Sequence, residues 1–146
     1  MHTPPLDAFI AEASQLTPQS VDRLASFYAE HCEFQDPFQT VQGRAAVAAV
    51  YQNMFEQLHG ARFTNVRLLG GADTASGETV IGWDFQFALG KHAPPQVIAG
   101  CSLLRWNAEG KVHQHIDYWD ASQLMQGLPV VGRVIGWLRQ KIGQAH

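Results

Sequence analysis

Charge is scarce in this chain. Asp, Glu, Lys and Arg together make up 16 % of its 146 residues, the formal net charge is -3, and lysines and arginines nowhere form a run. A partner made of nucleic acid is therefore not expected, because phosphate recognition needs a basic face. Cysteine is scarcer still: Cys32 and Cys101 stand far apart with no second pair, which argues against a disulfide framework and suits a reducing cytoplasm. The opening MHTPPLDAFIAEA lacks a basic stretch followed by an apolar one, so it does not read as a secretory signal. No apolar run reaches the roughly 20 residues that cross a bilayer, and a cytoplasmic location is expected. What is abundant is apolar side chain, 46 % of the residues. That is enough for one globular domain spanning residues 1–146, with 124–146 as a helical extension at its C-terminal end.

Periodicity places helices first and strands second, an α+β order. Leu6, Phe9, Ile10 and Ala13 recur at helical spacing. Thr17-Pro18 reads as the start of a second helix, with Val21, Leu24, Ala25 and Tyr28 on one face and an end near His31. After Gly43, residues Arg44 to Leu58 form a third, its stripe made of Val47, Val50, Tyr51, Met54 and Phe55. Strands are expected at Arg62 to Leu69, Thr79 to Leu89, Gln96 to Trp106 and Lys111 to Trp119, in a mostly antiparallel sheet. In the tail, Val130, Val131, Val134, Ile135, Leu138 and Ile142 make a helical apolar face beside Arg133, Arg139 and Lys141. Such a helix more often docks on its own protein than on a membrane.

Alternation along the strands picks out the candidate chemistry. In KVHQHIDYWD, residues His113, His115, Asp117 and Trp119 share one face by parity, and Trp83, Phe85 and Phe87 share a face of their own strand. If these faces look inward, two ionisable groups enter a cavity otherwise walled by aromatic rings, Met54 and Phe55. A carboxylate there needs a partner, and His115 is the natural one for Asp117. His113, His115 and Asp117 at this spacing could also chelate zinc. No Cys or further His clusters nearby, so neither a metal nor another cofactor is expected. Asp36, between Phe34 and Phe38 and followed by Pro37, is either a turn-forming residue or a carboxylate delivered to the junction of helix and sheet.

The segment FYAEHCEFQDPFQTVQGRAAVAAVYQNMF, followed by LLRWNAEGKVHQHIDYWD, resembles the nuclear transport factor 2-like superfamily, which includes ketosteroid isomerases and SnoaL-like polyketide cyclases. The resemblance implies a cone: a bent sheet wrapped around helices, a pocket open at one end, and dimers formed through the outer sheet face. It implies that Asp36 matches the proton-moving aspartate of the isomerases and that Tyr28 and Tyr51 match pocket tyrosines. It also puts Phe9 and Ser102 where an isomerase carries its two oxyanion donors. Phenylalanine donates nothing, and losing one such donor costs on the order of a hundred- to a thousandfold in rate, so a steroid isomerase is not expected. An epoxide hydrolase of this superfamily would need an inward arginine, and Arg105 alternates outward from Leu104 and Trp106.

The expectation is a general acid–base enzyme of isomerase, cyclase or dehydratase type on a small hydrophobic carbonyl compound. Asp36, His115 and Asp117 would be its catalytic groups, with Asp36 as base. Tyr28, Phe38, Tyr51, Met54, Phe55, Trp83, Phe85, Phe87, Ser102 and Trp119 would contact the ligand. The alternative is a ligand-binding or dimerisation module with no reaction, and a homodimer is expected in either case.

Overall fold

The computed structural model of the chain describes residues 4–71 and 77–125. The elements run α1 (Pro4–Ser14), a 3-10 turn (Pro18–Ser20), α2 (Val21–Ala25), β1 (Tyr28–Gln35), β2 (Thr40–Gln42), α3 (Arg44–Gln57), β3 (His59–Gly70), β4 (Glu78–Ala88), β5 (Gln96–Trp106), β6 (Val112–Tyr118) and α4 (Ala121–Met125). Six strands form one curved, open sheet in the order β2-β1-β6-β5-β4-β3. Every neighbouring pair is antiparallel except β1 with β6, which is parallel. The basic amphipathic stretch expected over 124–146 lies outside the described residues, apart from the end of α4.

The helices pack on one face of this sheet. Leu6 and Phe9 from α1, Val21 and Leu24 from α2, and Val47 and Tyr51 from α3 are buried against Ile81, Trp83, Leu104, Trp106 and Val112. Inward residues on β4 and β5 alternate as the pattern requires: Thr79, Ile81, Trp83 and Phe87 are buried on β4, and Ile98, Ser102, Leu104 and Trp106 on β5. The outward position of Arg105 also holds. Its guanidinium bonds Glu78 and Gln114 on the outer face.

Three expectations are revised. The second helix does not run to His31; it ends at Ala25, and Tyr28–Gln35 is a strand. The register of β1 against β6 shifts between Tyr28 and Glu33, so this strand never shows a continuous two-residue alternation, and Tyr28 mimics one more helical repeat. Consequently the β1–β2 hairpin comes before α3, and strands do not simply follow helices. The third revision is His113. Arg105 pairs with Gln114 but Trp106 pairs with Val112, which makes His113 an extra residue. Val112 and His115 are both buried, while His113 is exposed. The bulge flips parity, and the set of His113, His115 and Asp117 weighed for zinc does not converge.

Gly100 on β5 pairs with Trp83 on β4, and the indole lies over it. A Cβ at this position would sit 2.8 Å from Cζ2 and Cζ3 of that ring. Gly100→Ala should therefore displace Trp83 and destabilise the fold by about 1–3 kcal/mol, measured by urea unfolding. An unchanged midpoint would show that the indole has room to move.

Candidate active site

Sheet register brings the polar residues together. The antiparallel β5–β6 ladder sets Ser102 opposite Asp117 and Leu104 opposite His115. The parallel β1–β6 ladder sets Phe34 beside His115, whose ring it packs against with centroids 4.7 Å apart. Tyr28 enters from the start of β1 and Tyr51 from the middle of α3.

These residues form one chain of hydrogen bonds through the core. The Trp83 indole N–H donates to Ser102 Oγ at 2.9 Å, and the Ser102 hydroxyl donates to Asp117 Oδ1 at 2.5 Å. The same Oδ1 lies 2.5 Å from His115 Nε2, and Nδ1 of that ring lies 2.6 Å from the Tyr28 hydroxyl. The Tyr28 and Tyr51 hydroxyls are hydrogen-bonded at 3.3 Å, and either can donate. Among the described residues, no buried side-chain nitrogen or oxygen lacks a partner. That is what burial demands, since an unpaired polar group in such surroundings costs about 1–3 kcal/mol.

Two cavities meet at this chain. The inner one, about 20 Å³, is lined by Phe9, Leu24, Ile81, Ser102 and His115 among others, and has room for a single water. The outer one, about 270 Å³, opens between α3 and the β1–β2 hairpin. Tyr51, Phe63, Trp83 and Asp117 border both. Asp117 is thus the one carboxylate at the partition, with its side chain 14 % exposed. Its hydrogen bonds with Ser102 and His115 both land on Oδ1.

Of the residues expected to touch a ligand, Phe38, Tyr51, Met54, Trp83, Phe85 and Trp119 line the outer cavity, and Asp36 lies at its rim. The others do not line it. Tyr28 is fully buried behind His115, and Ser102 and His115 border only the inner cavity. Phe87 packs with Ala61 and Ile98 in a second small core, against which Phe55 also leans. Sequence reasoning missed Phe34, Phe63 and Ile98 as walls and Gln39, Asn53 and Gln57 as polar neighbours. Ile98 was recoverable in principle, since it is the cross-strand partner of Phe85. Phe63 was not, because the bulges in β3 leave it no readable face.

Asp36 is employed by its own turn. Its Oδ1 accepts the backbone N–H groups of Phe38 (2.8 Å) and Gln39 (3.0 Å), and Oδ2 accepts the Gln39 amide at 3.3 Å. The turn-forming alternative is therefore realised. Among the described residues no three His, Cys, Asp or Glu side chains are placed to hold a metal, and no arginine lines either cavity. Burial pushes the Cys32 thiol up, the opposite of what a nucleophile needs.

Burial also raises both tyrosines. Tyr28 stands well above its ordinary value, chiefly through desolvation and secondly through Tyr51. Tyr51 is raised by desolvation and then by the Asp117 carboxylate. The folded protein thus keeps two protons that the unfolded chain releases above about pH 10. Stability should be unaffected by these groups below that pH and should fall above it, by about 1.4 kcal/mol per pH unit for each tyrosine. Urea unfolding across alkaline pH checks this. Tyr51→Phe should halve the dependence, and an unchanged slope would contradict it.

A family model described as a SnoaL-like domain matches residues 7–115. Comparison with curated proteins finds no match. Among solved structures, the chain is similar to a hypothetical protein from Catenulispora acidiphila with a ketosteroid isomerase-like fold, crystallised with trimethylamine (TM-score 0.70, 16 % identity, 88 % of this chain and 96 % of that one). It is also similar to an NTF2-like protein of unknown function from Exiguobacterium (0.63, 17 %, 80 % and 98 %). A third is an epoxide hydrolase/cyclase-like enzyme of pyran ring formation in salinomycin (0.64, 12 %, 80 % and 88 %). At such identities the structures speak for the fold, while the sequence match covers most of the chain. The protein belongs to the SnoaL-like domain family, within the nuclear transport factor 2-like superfamily.

Proposed function

We propose that the protein is a general acid–base enzyme acting on a small, mainly apolar carbonyl compound held in the outer cavity, with Asp117 as the carboxylate that takes and returns a carbon proton. One observation carries this reading: Asp117 borders a cavity walled by Phe34, Phe63, Trp83, Phe85 and Trp119, while its Oδ1 is fixed by His115 and Ser102. A carboxylate held this way is oriented before a ligand arrives, and apolar walls strengthen its interactions. The cavity lies just below the usual range for ligand pockets of about 300–1,000 Å³. It suits a compact molecule of one or two rings.

Asp117 takes the role that the resemblance suggested for Asp36, whose oxygens already serve the hairpin turn. Isomerisation, aldol-type cyclisation and dehydration all begin with this abstraction. Among the described residues no arginine lines either cavity, which speaks against an epoxide hydrolase, and the pairing of their buried polar atoms favours a ligand carrier without chemistry. The two free cysteines support a reducing compartment, and no helix among the described residues is long and apolar enough to cross a membrane.

The test is exchange of α-carbon protons in deuterated water, followed by NMR, on small cyclic ketones such as 2-tetralone. The wild type should accelerate exchange, and Asp117→Asn should lower the rate by about a hundred- to ten-thousandfold. A comparable loss in Asp36→Asn with Asp117→Asn active would return the base to Asp36. Binding with no exchange would establish the carrier.

We also propose a homodimer. On the outer sheet face Tyr118 is 54 % exposed next to Ile116, which pairs with Leu103, and Val97 is 57 % exposed further along β5. Light scattering on the full chain should give twice the monomer mass, and Tyr118→Glu should shift it toward the monomer. A monomeric wild type would refute the dimer.

A further inference from the structure

Asp117 and Tyr51 both reach the outer cavity, and they are also the two ends of a single hydrogen-bonded arc that passes behind it. From Asp117 the arc runs to His115 (2.5 Å), on to Tyr28 (2.6 Å) and back to Tyr51 (3.3 Å). Neither His115 nor Tyr28 borders the outer cavity. Each hydroxyl has one proton to give, so the direction of the whole arc depends on the imidazole. When His115 is neutral and its Nε2–H donates to Asp117, the bare Nδ1 accepts from Tyr28. Tyr28 then accepts from Tyr51, and Tyr51 offers the cavity only lone pairs. When Nδ1 carries a proton both hydroxyls reverse, and the Tyr51 O–H turns to the cavity.

From this we infer that His115 is the proton store of the site and that it acts through Tyr28 to make Tyr51 the acid facing the ligand, opposite Asp117 as base. The inference rests on the reading of Asp117 given above. The step balances. Asp117 Oδ2 takes the proton from carbon, and the electron pair of the broken C–H bond moves to the carbonyl, whose oxygen takes the Tyr51 proton. Tyr28 reprotonates Tyr51, and His115 Nδ1–H reprotonates Tyr28. A carboxylate and an imidazolium become a neutral acid and a neutral imidazole while ketone becomes enol. Running the arc backwards with delivery to a different carbon completes an isomerisation. No net charge is created in an apolar cavity, which is the costly outcome such a site must avoid. Tyr51 needs this supply, because burial and Asp117 both disfavour leaving it as a tyrosinate.

Among the described residues the groups facing the arc are few. Asp117 lies on β6, Tyr28 and Cys32 on β1, Tyr51 on α3, and Ser102 on β5; Asp36 acts on Tyr51 from the hairpin, and Arg44 at the start of α3 donates to the Tyr28 carbonyl at 2.9 Å. Residues of α1 and α2 at the inner cavity, Phe9, Ala13 and Leu24, are apolar. His115 and Tyr28 are thus positioning residues, and their role is separable from contact with a ligand.

The experiment uses the full chain labelled with 15N-histidine and p-nitrophenol as probe, whose anion mimics an enolate. Binding of the phenolate should raise the titration midpoint of the His115 Nδ1 signal in the wild type. A tenfold preference for the donor form of Tyr51 corresponds to about one pH unit. In Tyr28→Phe the probe should still bind but most of that shift should vanish; Tyr51→Phe, which cuts the arc at its other end, should do the same. An equal shift in wild type and both variants would mean that the anion acts on His115 by charge alone, and would overturn the store. So would bound probe with no shift in the wild type. A probe that does not bind the wild type at all would instead remove the ligand reading of the outer cavity, and the inference with it. Loss of α-proton exchange in Asp117→Asn, together with a His115 shift that Tyr28→Phe and Tyr51→Phe leave unchanged, would leave the base in place and remove only the relay.

Discussion

A carboxylate and an imidazole 2.5 Å apart, between a sheet face and the helices that cover it, constrain everything around them. The ring is buried, so its second nitrogen has no bulk water to turn to, and the fold must supply a partner. It does so with Tyr28, whose own hydroxyl then needs Tyr51; on the other side Asp117 is shared with Ser102, which in turn satisfies Trp83. Removing one member of a buried pair typically costs about 3–5 kcal/mol, because the survivor is stranded. Five elements, β1, α3, β4, β5 and β6, are thereby tied to one another at a single place. The outer cavity is bounded by the pocket-facing members of the same chain, so what stabilises the core also shapes the site.

Much of this was legible before any coordinates. Strands β4 and β5 alternate cleanly, which put Trp83 and Phe85 on the cavity side and Arg105 outside; α3 announced itself through Val47, Tyr51 and Met54. The pairing of His115 with Asp117 followed from their two-residue spacing. What could not be read has a common cause in bulges and register. The shift between Tyr28 and Glu33 disguised β1 as helix, and the extra residue at His113 broke parity one position short of the site. The contact of Tyr28 with His115 depends on a parallel pairing between strands more than eighty residues apart, for which no local pattern exists. The use of Ser102 against Asp117 required the β5–β6 register, which spacing alone does not set. Asp36 shows the complementary ambiguity: a carboxylate before proline carries the same letters whether it turns the chain or meets a substrate, and here it serves the turn while lying at the rim of the outer cavity.

Within the SnoaL-like frame, the inward residues of this chain set what its core can hold. Here Phe9 and Ser102 occupy the positions at which the isomerase resemblance would place oxyanion donors, and both line the inner cavity. Phe9 is inert, and Ser102 has been turned to hold Asp117. The buried ionisable pair His115–Asp117 lies on β6, linked through Tyr28 to Tyr51 on α3. The scaffold's contribution is the low-dielectric surroundings and the fixed angles.

The unity of the buried chain is open to direct measurement. Tyr28 and Ser102 do not bond each other and are joined only through His115 and Asp117. A double-mutant cycle with Tyr28→Phe and Ser102→Ala, read by urea unfolding, should therefore give a coupling energy of about 1 kcal/mol or more. Independent sites would instead add to within about 0.3–0.5 kcal/mol, and that outcome would contradict a single connected network.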